Sequence, residues 1–170
     1  MKKQLLTTAL ALAASVSAMA GSFYAGVGSQ HTHLNAAQVA GAAVTDDLGH
    51  GLRILAGYRV TPTWAVEAAY GHAKSLSAGT SLKGHETSLA VVGTHPVALG
   101  LSAIGKVGIS HSHLDTEARD HSKNSLLIGA GVSYTLTPEL SVRTEWERTQ
   151  NFGRSGESAD KVAVSLVKTF

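Results

Sequence analysis

The last ten residues, Lys161-Val162-Ala163-Val164-Ser165-Leu166-Val167-Lys168-Thr169-Phe170, alternate between two kinds of side chain. Successive side chains of a strand point to opposite faces, so one face here is apolar. It would carry Val162, Val164, Leu166 and Phe170. An alternating segment that ends on an aromatic residue predicts a strand that closes a β-barrel.

The opposite end of the chain predicts export. Lys2 and Lys3 precede an apolar run from Leu5 to Val16, and Ala18-Met19-Ala20 supplies small residues at the expected cleavage site. The run is too short to span a bilayer as a helix, so any span must be made of strands. We predict a signal peptide over residues 1–20 and a barrel domain over residues 21–170.

The charge balance and the cysteine content bear on nucleic-acid binding and on disulfide bonds. The chain has 14 Lys and Arg against 12 Asp and Glu, and removing Lys2 and Lys3 leaves 12 against 12. This balance gives no argument for a nucleic-acid partner, and none is expected. The chain has no cysteine. Its stability must therefore come from packing and a closed hydrogen-bond ladder rather than from disulfides.

Alternating segments recur along the chain between turn signals. Three tight connections carry Pro62, Pro96 and Pro138, whereas the other connections are longer and polar. Short turns alternate with long external loops in this way in bacterial outer membrane barrels. We predict an all-β, eight-stranded antiparallel up-and-down transmembrane β-barrel, integral to the outer membrane. The predicted strands are 22–31, 50–60, 64–74, 85–95, 100–112, 123–135, 140–150 and 160–170, and the predicted loops are 32–49, 75–84, 113–122 and 151–159.

Alternation alone also fits a soluble barrel with its apolar face inside. Two features favour lipid outside. The opposite faces are rich in Gly, Ala and Ser, which suits a crowded barrel interior, and aromatic residues cluster at strand ends, as in membrane-interface girdles. The predicted periplasmic aromatic girdle consists of Phe23, Tyr58, Trp64, Tyr134 and Phe170.

The same parity places balanced charges inside the barrel. Unpaired buried charges are costly, and eight strands enclose only enough space for side chains, so the charges are expected to pair and fill the lumen. A narrow, low-conductance pore remains the alternative. The predicted ion-pair cluster contains three cations and three anions, Arg53, Glu67, Lys106, Arg143, Glu145 and Glu147.

Two stretches resemble a known family. Residues 57–67, Gly-Tyr-Arg-Val-Thr-Pro-Thr-Trp-Ala-Val-Glu, are similar to strands two and three of the outer membrane protein A transmembrane domain. Residues 131–146 resemble its strands six and seven. In size the chain looks like the short, barrel-only outer membrane protein X group. The resemblance implies a barrel that needs no cofactor.

The resemblance also implies roles for some interior charges. Glu67 and Arg143 match the family's gate pair, Glu145 matches the glutamate two residues beyond, and Lys106 replaces an arginine. The second, switching pair is absent, because Val92 and Ser133 stand at its positions. A switch between closed and open pairings is therefore not implied.

Of the nine histidines, all but His95 lie at or near the predicted external end. His31-Thr32-His33 and His111-Ser112-His113 each place two imidazoles on one strand face. With a further ligand from another loop, such a pair would suit zinc, copper or nickel. Tolerated rim histidines that contact lipopolysaccharide phosphates are the other interpretation. The candidate metal residues are His31, His33, His111 and His113.

An enzyme hypothesis is the last alternative, since some eight-stranded outer membrane barrels modify lipid A. Ser110 and His111 supply suitable groups, but neighbours in a strand point to opposite faces, which argues against a catalytic pair. We expect a non-enzymatic, monomeric envelope protein whose four external loops meet host or surface ligands. Its other expected partners are outer membrane lipids, lipopolysaccharide, the barrel assembly machinery and periplasmic chaperones.

Overall fold

The structure, a computed structural model, describes residues 22–35, 37–39, 42–44, 47–77, 80–116, 119–151 and 158–170. The predicted signal peptide lies outside them. Eight antiparallel strands form a closed barrel in the order β1-β10-β9-β8-β7-β6-β5-β4, and β2 pairs with β3 in a separate two-stranded sheet. The predicted fold is confirmed. The strands are β1 (Ser22–Asn35), β2 (Ala37–Val39), β3 (Ala42–Val44), β4 (Asp47–Arg59), β5 (Trp64–Ser77), β6 (Thr80–Ala98), β7 (Leu101–Thr116), β8 (Arg119–Thr137), β9 (Leu140–Asn151) and β10 (Ser158–Thr169).

One end of the barrel carries the tight turns 60–63, 99–100 and 138–139, and we call it the turn end. Thr61 and Thr137 each precede a proline, which cannot donate to the ladder. The Thr61 hydroxyl accepts from the backbone N–H of Trp64 at 3.0 Å, and the Thr137 hydroxyl accepts from that of Leu140 at 3.1 Å. In the third turn, Gly100 has a φ of 75°, which glycine adopts without strain. The ladder thus ends at the first and third turns carried by proline, as predicted. The prediction was wrong at Pro96, because β6 continues through it to Ala98 with an irregularity in the register, and the turn comes at Leu99 and Gly100.

The opposite end, which we call the hairpin end, differs from the prediction. The ladder between β5 and β6 continues to Ser77 and Thr80, and that between β7 and β8 continues to Thr116 and Arg119. The predicted loops 75–84 and 113–122 are thus largely paired strand, and part of the predicted loop 32–49 forms β2 and β3. In these polar segments, pairing between the strands satisfies the backbone N–H and C=O groups, and no apolar face is needed. The segments therefore lack the hydrophobic alternation by which a strand is recognised in the sequence.

Side-chain parity follows the sequence pattern. On β4, Leu52 and Ile54 are exposed on the outer face, whereas Arg53 and Leu55 are buried. The interior is not uniformly polar or small, however. A buried apolar cluster, which we call the apolar floor, contains Tyr24, Leu55, Ala65, Ala69, Val92, Ile104 and Val167. Among the described residues there is no helix of sufficient length and apolarity to cross a membrane.

Candidate functional site: the charged lumen and the outer histidines

Glu67 on β5 is the main acceptor inside the barrel. Its carboxylate accepts from Arg143 Nη1 at 2.7 Å, Lys106 Nζ at 3.0 Å and the Tyr24 hydroxyl at 2.9 Å. Its side chain is 2% exposed, so these three donors replace water around the carboxylate. The donors come from β1, β7 and β9. One carboxylate thus ties three other strands to β5.

Lys106 on β7 is the central cation. Its Nζ lies 2.6 Å from Glu145 Oε1 and 2.9 Å from Glu147 Oε1, in addition to its contact with Glu67. Arg53 Nη2 donates to Glu147 at 2.7 Å, and Arg143 Nη2 donates to Glu145 at 2.8 Å. The structure therefore brings all six residues of the predicted cluster into one network of buried charge-assisted hydrogen bonds.

A further ion pair lies nearer the hairpin end. Lys161 on β10 donates to Glu86 on β6, and the Lys161 side chain is 3% exposed. Neither residue belongs to the predicted cluster. Lys161 could have been found by parity, because it stands on the face opposite Val162 and Val164. The pairing of Lys161 with Glu86 could not have been predicted, because it depends on the stagger between two strands that are not neighbours.

Two of these ion pairs cross the full width of the barrel. In the ring of eight strands, β5 stands four places from β9, and β6 stands four places from β10. Glu67–Arg143 and Glu86–Lys161 therefore join opposite walls. A cavity of about 30 Å³ lies on the turn side of Arg143, and one of about 10 Å³ lies between Arg53–Glu147 and Glu86–Lys161. The larger cavity has room for one or two water molecules, and the smaller has room for at most one.

Tyr24 reaches Glu67 because a glycine leaves space for its ring. A Cβ at Gly57, on the neighbouring strand β4, would overlap the ring carbons and the hydroxyl of Tyr24. Tyr24 is 4% exposed and belongs to the apolar floor, while its hydroxyl belongs to the charge network. Sequence reasoning missed Tyr24, although its parity is that of the interior residues Gly26 and Gly28.

The five predicted girdle residues all lie close to the turn end. The rings of Phe23 and Tyr58 are 4.7 Å apart, and the Phe170 amide donates to the Phe23 carbonyl at 2.8 Å across the closing seam. Trp64, Tyr134 and Phe170 are 53–59% exposed. Broad aromatic surface thus faces the surroundings of the barrel at this end.

The structure does not bring the predicted metal residues together. His31 and His33 lie on β1 and His111 lies on β7, and these strands stand on opposite walls. The side chain of His113 is outside the described part. Among the described residues, no group of three or more His, Cys, Asp or Glu side chains is placed to hold a metal ion. The two predicted pairs therefore stand on opposite walls and do not share one ion. That either pair binds a metal with a further ligand from a loop stays a prediction.

Different histidines are close together instead. His31 on β1 lies beside His50 on β4, with ring centroids 5.1 Å apart and a 50° angle between the planes. His72 on β5 and His85 on β6 stack at 4.7 Å and 14°. His111 Nδ1 lies 2.7 Å from Asn124 Oδ1. These contacts join neighbouring strands, which linear spacing in the sequence does not reveal.

A family model described as outer membrane protein beta-barrel domain matches residues 5–169 of this chain. No curated protein matches significantly. Neisserial surface protein A superposes with a TM-score of 0.67 at 16% identity, over 87% of this chain and 97% of its own. The match confirms the predicted resemblance to small outer membrane barrels.

Two further solved structures share the fold. The attachment invasion locus protein of Yersinia pestis has a TM-score of 0.63 at 14% identity, covering 89% of this chain and all of its own. The N-terminal barrel domain of Pseudomonas aeruginosa OprF has a TM-score of 0.62 at 14% identity, covering 86% and 96%. At these identities the likeness concerns the fold.

Proposed function

Because this chain belongs to the outer membrane protein beta-barrel family, and so is integral to the outer membrane, we propose that it is a non-enzymatic envelope protein. In this proposal the lumen is closed by its own side chains, and segments at the hairpin end meet ligands outside the cell. The observation that carries the closed lumen is the pair of ion bridges between opposite walls, Glu67–Arg143 and Glu86–Lys161.

Three layers support closure along the barrel axis. Five residues of the apolar floor line the turn end, namely Tyr24, Ala65, Val92, Ile104 and Val167. The six-residue network fills the middle, and Lys161–Glu86 lies beyond it toward the hairpin end. An ion that passes through the lumen would have to displace charge-assisted hydrogen bonds in a poorly hydrated interior, which is energetically unfavourable. The alternative of a narrow pore would require this network to open repeatedly.

The lumen is tested by conductance of the refolded barrel in planar bilayers. A closed lumen predicts no discrete channel events for the wild type. A pore predicts events that become larger when Glu67 or Arg143 is neutralised, as in Glu67→Gln. Each protein must first show the heat-modifiable gel shift of a folded barrel. Channel events in folded wild type would overturn the closed-lumen proposal.

The surface role rests on the extended hairpins. The β5–β6 and β7–β8 ladders carry polar segments past the level of the outer Tyr70 and Trp146 rings. The attachment invasion locus protein, a barrel of similar fold, has also been crystallised with a heparin analogue. That complex supports the proposal that a barrel of this fold binds a ligand. We expect biogenesis through periplasmic chaperones and the barrel assembly machinery.

A deletion strain separates the two parts of this proposal. Complementation with the full chain should restore both detergent resistance and surface adhesion. A variant lacking residues 76–81 loses the last two pairs of the β5–β6 ladder and leaves the remaining pairs in place. It should therefore restore detergent resistance but reduce adhesion. Equal adhesion of the deletion and wild-type strains would argue against a surface role.

The lipid A enzyme alternative receives no support from the one serine–histidine arrangement that the sequence suggests. Ser110 is 2% exposed and faces the lumen, whereas His111 faces outward and contacts Asn124. They cannot act on one substrate from opposite faces of β7. Mass spectrometry of lipid A with and without the protein tests the remaining possibilities, and a mass change that requires the protein would overturn the non-enzymatic proposal.

A further inference from the structure

The two cavities inside the barrel differ in the charges that line them. The smaller one, of about 10 Å³, is lined by two cations and two carboxylates, Arg53, Lys161, Glu86 and Glu147. The larger one, of about 30 Å³ at the turn end, is lined by Arg59 and Arg143, and its described lining includes no carboxylate. Charge is therefore balanced around the smaller cavity, whereas it is positive around the larger one.

Arg143 brings a buried donor to the larger cavity. The residue is 5% exposed, and its Nη1 and Nη2 donate to Glu67 and Glu145. Its Nε is also buried, and it has no hydrogen-bond partner among the described residues. A buried donor without an acceptor costs free energy. An acceptor in the cavity that Arg143 lines would supply the missing partner.

Arg59 adds a positive charge that the buried network does not cancel. It is the last residue of β4, it is exposed, and among the described residues it has no carboxylate partner. Its guanidinium carbon lies 5.7 Å from the centroid of the Tyr24 ring, and that of Arg143 lies 6.0 Å from the same centroid. The six-residue network contains as many anions as cations. The charge of Arg59 is therefore left over beside the cavity.

The rest of the lining suits an anion. Hydroxyl groups, which can donate hydrogen bonds to an anion, are contributed by Thr61, Thr63, Thr94, Ser133 and Ser141. Buried apolar residues of the floor line the same cavity, namely Ala65, Val92, Ile104 and Val167. Attraction between unlike charges is stronger beside such apolar groups than in bulk water, because the local dielectric constant is lower.

We propose that the turn-end cavity binds one small anion of the halide class, such as chloride, between Arg59 and Arg143. The cavity has room for one or two water molecules, so a monatomic anion fits it, whereas a bulky organic anion does not. The anion goes no further, because the carboxylates of Glu67 and Glu145 on the other side of Arg143 repel it. The site is therefore compatible with a closed lumen, and it is independent of the surface role.

Two variants probe the site, and a third is their matched control. Arg59→Gln removes the leftover charge, and Ser133→Leu fills the cavity without changing any charge. Arg148 on β9 provides the control, because it does not line the cavity and its Nε lies 3.3 Å from the Asp160 carboxylate. Arg148→Gln changes the net charge of the barrel as much as Arg59→Gln does.

The test measures the NMR line width of chloride in solutions of the folded barrel in an uncharged detergent. Chloride that exchanges with a protein site gives a broader resonance than free chloride. The wild type should show excess broadening that added bromide removes and that added gluconate, a bulky anion, does not. Arg59→Gln and Ser133→Leu should each lose most of the excess broadening, whereas Arg148→Gln should keep it.

Three results would overturn the proposal. The first is a wild-type barrel without excess broadening, which does not depend on any variant folding. The second is an equal loss in Arg148→Gln, which would indicate general attraction of chloride to positive charge. The third is full broadening in Ser133→Leu, which would place the anion outside the cavity. The heat-modifiable shift checks that every variant compared is folded.

Discussion

Lys161 on β10 and Glu86 on β6 form an ion pair that spans the barrel between opposite walls. The two ends of this pair differ in solvent access, since the Lys161 side chain is 3% exposed and that of Glu86 is 21% exposed. The Lys161 ammonium has little access to water, so it needs the partner charge more than the Glu86 carboxylate does.

We expect Glu86→Ala to lower the free energy of unfolding by about 1–3 kcal/mol, because it leaves a buried ammonium without its carboxylate. Lys161→Met should cost less, since it removes the charge that needs a partner and keeps most of the volume. Reversible urea unfolding in lipid vesicles measures both. The reverse order would show that the pair matters less than the packing of the lysine stem.

Removing Glu67 should be more damaging. Glu67→Ala leaves Arg143, Lys106 and Tyr24 without a shared acceptor in a buried site. The expected loss is about 3–5 kcal/mol. The double variant Glu67→Ala/Arg143→Ala should lose less than the sum of the single variants, because each single variant strands a charge that the double removes. Strict additivity would mean that the two residues do not interact energetically.

Gly57 and Gly105 form a matched pair of glycines for the packing of Tyr24. A Cβ at Gly57 would overlap the Tyr24 ring, whereas nothing lies within 4 Å of a Cβ at Gly105. Gly57→Ala should therefore destabilise the barrel by about 1–3 kcal/mol, and Gly105→Ala should be neutral or slightly stabilising. The added variant Tyr24→Ala should reduce the further cost of Gly57→Ala, since it removes the ring. Equal effects of the two alanines would contradict this account.

Trp64 reports the position of the barrel in the membrane. It lies at the turn end and faces outward, whereas Trp146 lies just past the middle of β9. In a variant that keeps Trp64 as its single tryptophan, bromines placed close to the headgroups should quench it more strongly than bromines near the bilayer centre. Val107→Trp, halfway along β7 on the outer face, should show the opposite preference in a background without the native tryptophans. Stronger quenching of Trp64 by bromines near the bilayer centre would contradict the placement of the aromatic girdle at the membrane interface.

The barrel could be predicted from sequence because its outer face is apolar and its inner face is not, so period-two alternation is visible on strands such as β4 and β5. The six interior charges followed from the same parity. The extended hairpins were missed because residues such as Ser77 and Thr80 pair through the backbone, without an apolar face to reveal them. The apolar floor was also missed, since inward Val92 and Ile104 look like outward residues in a linear pattern.

The contacts between histidines could not be predicted for a different reason. Spacing along one strand shows which side chains share a face, but it does not show which strands are neighbours. His31 and His111 stand in similar sequence patterns, yet β1 and β7 are four places apart in the closed ring, on opposite walls. The close contact of His72 and His85 depends on the β5–β6 register, which the polar connection between them does not fix in advance.

The lumen charges also encode the register of the last hairpin. Arg143, Glu145 and Glu147 stand at alternate positions of β9, and Lys161 follows on β10. A slip of β9 by two residues keeps every side chain on its proper face, so hydrophobic alternation cannot prevent it. Such a slip would, however, place Glu145 where Arg143 meets Glu67 and set carboxylate against carboxylate. The ion-pair network thus favours the correct register of the barrel over shifted registers in which the outer face would be equally apolar.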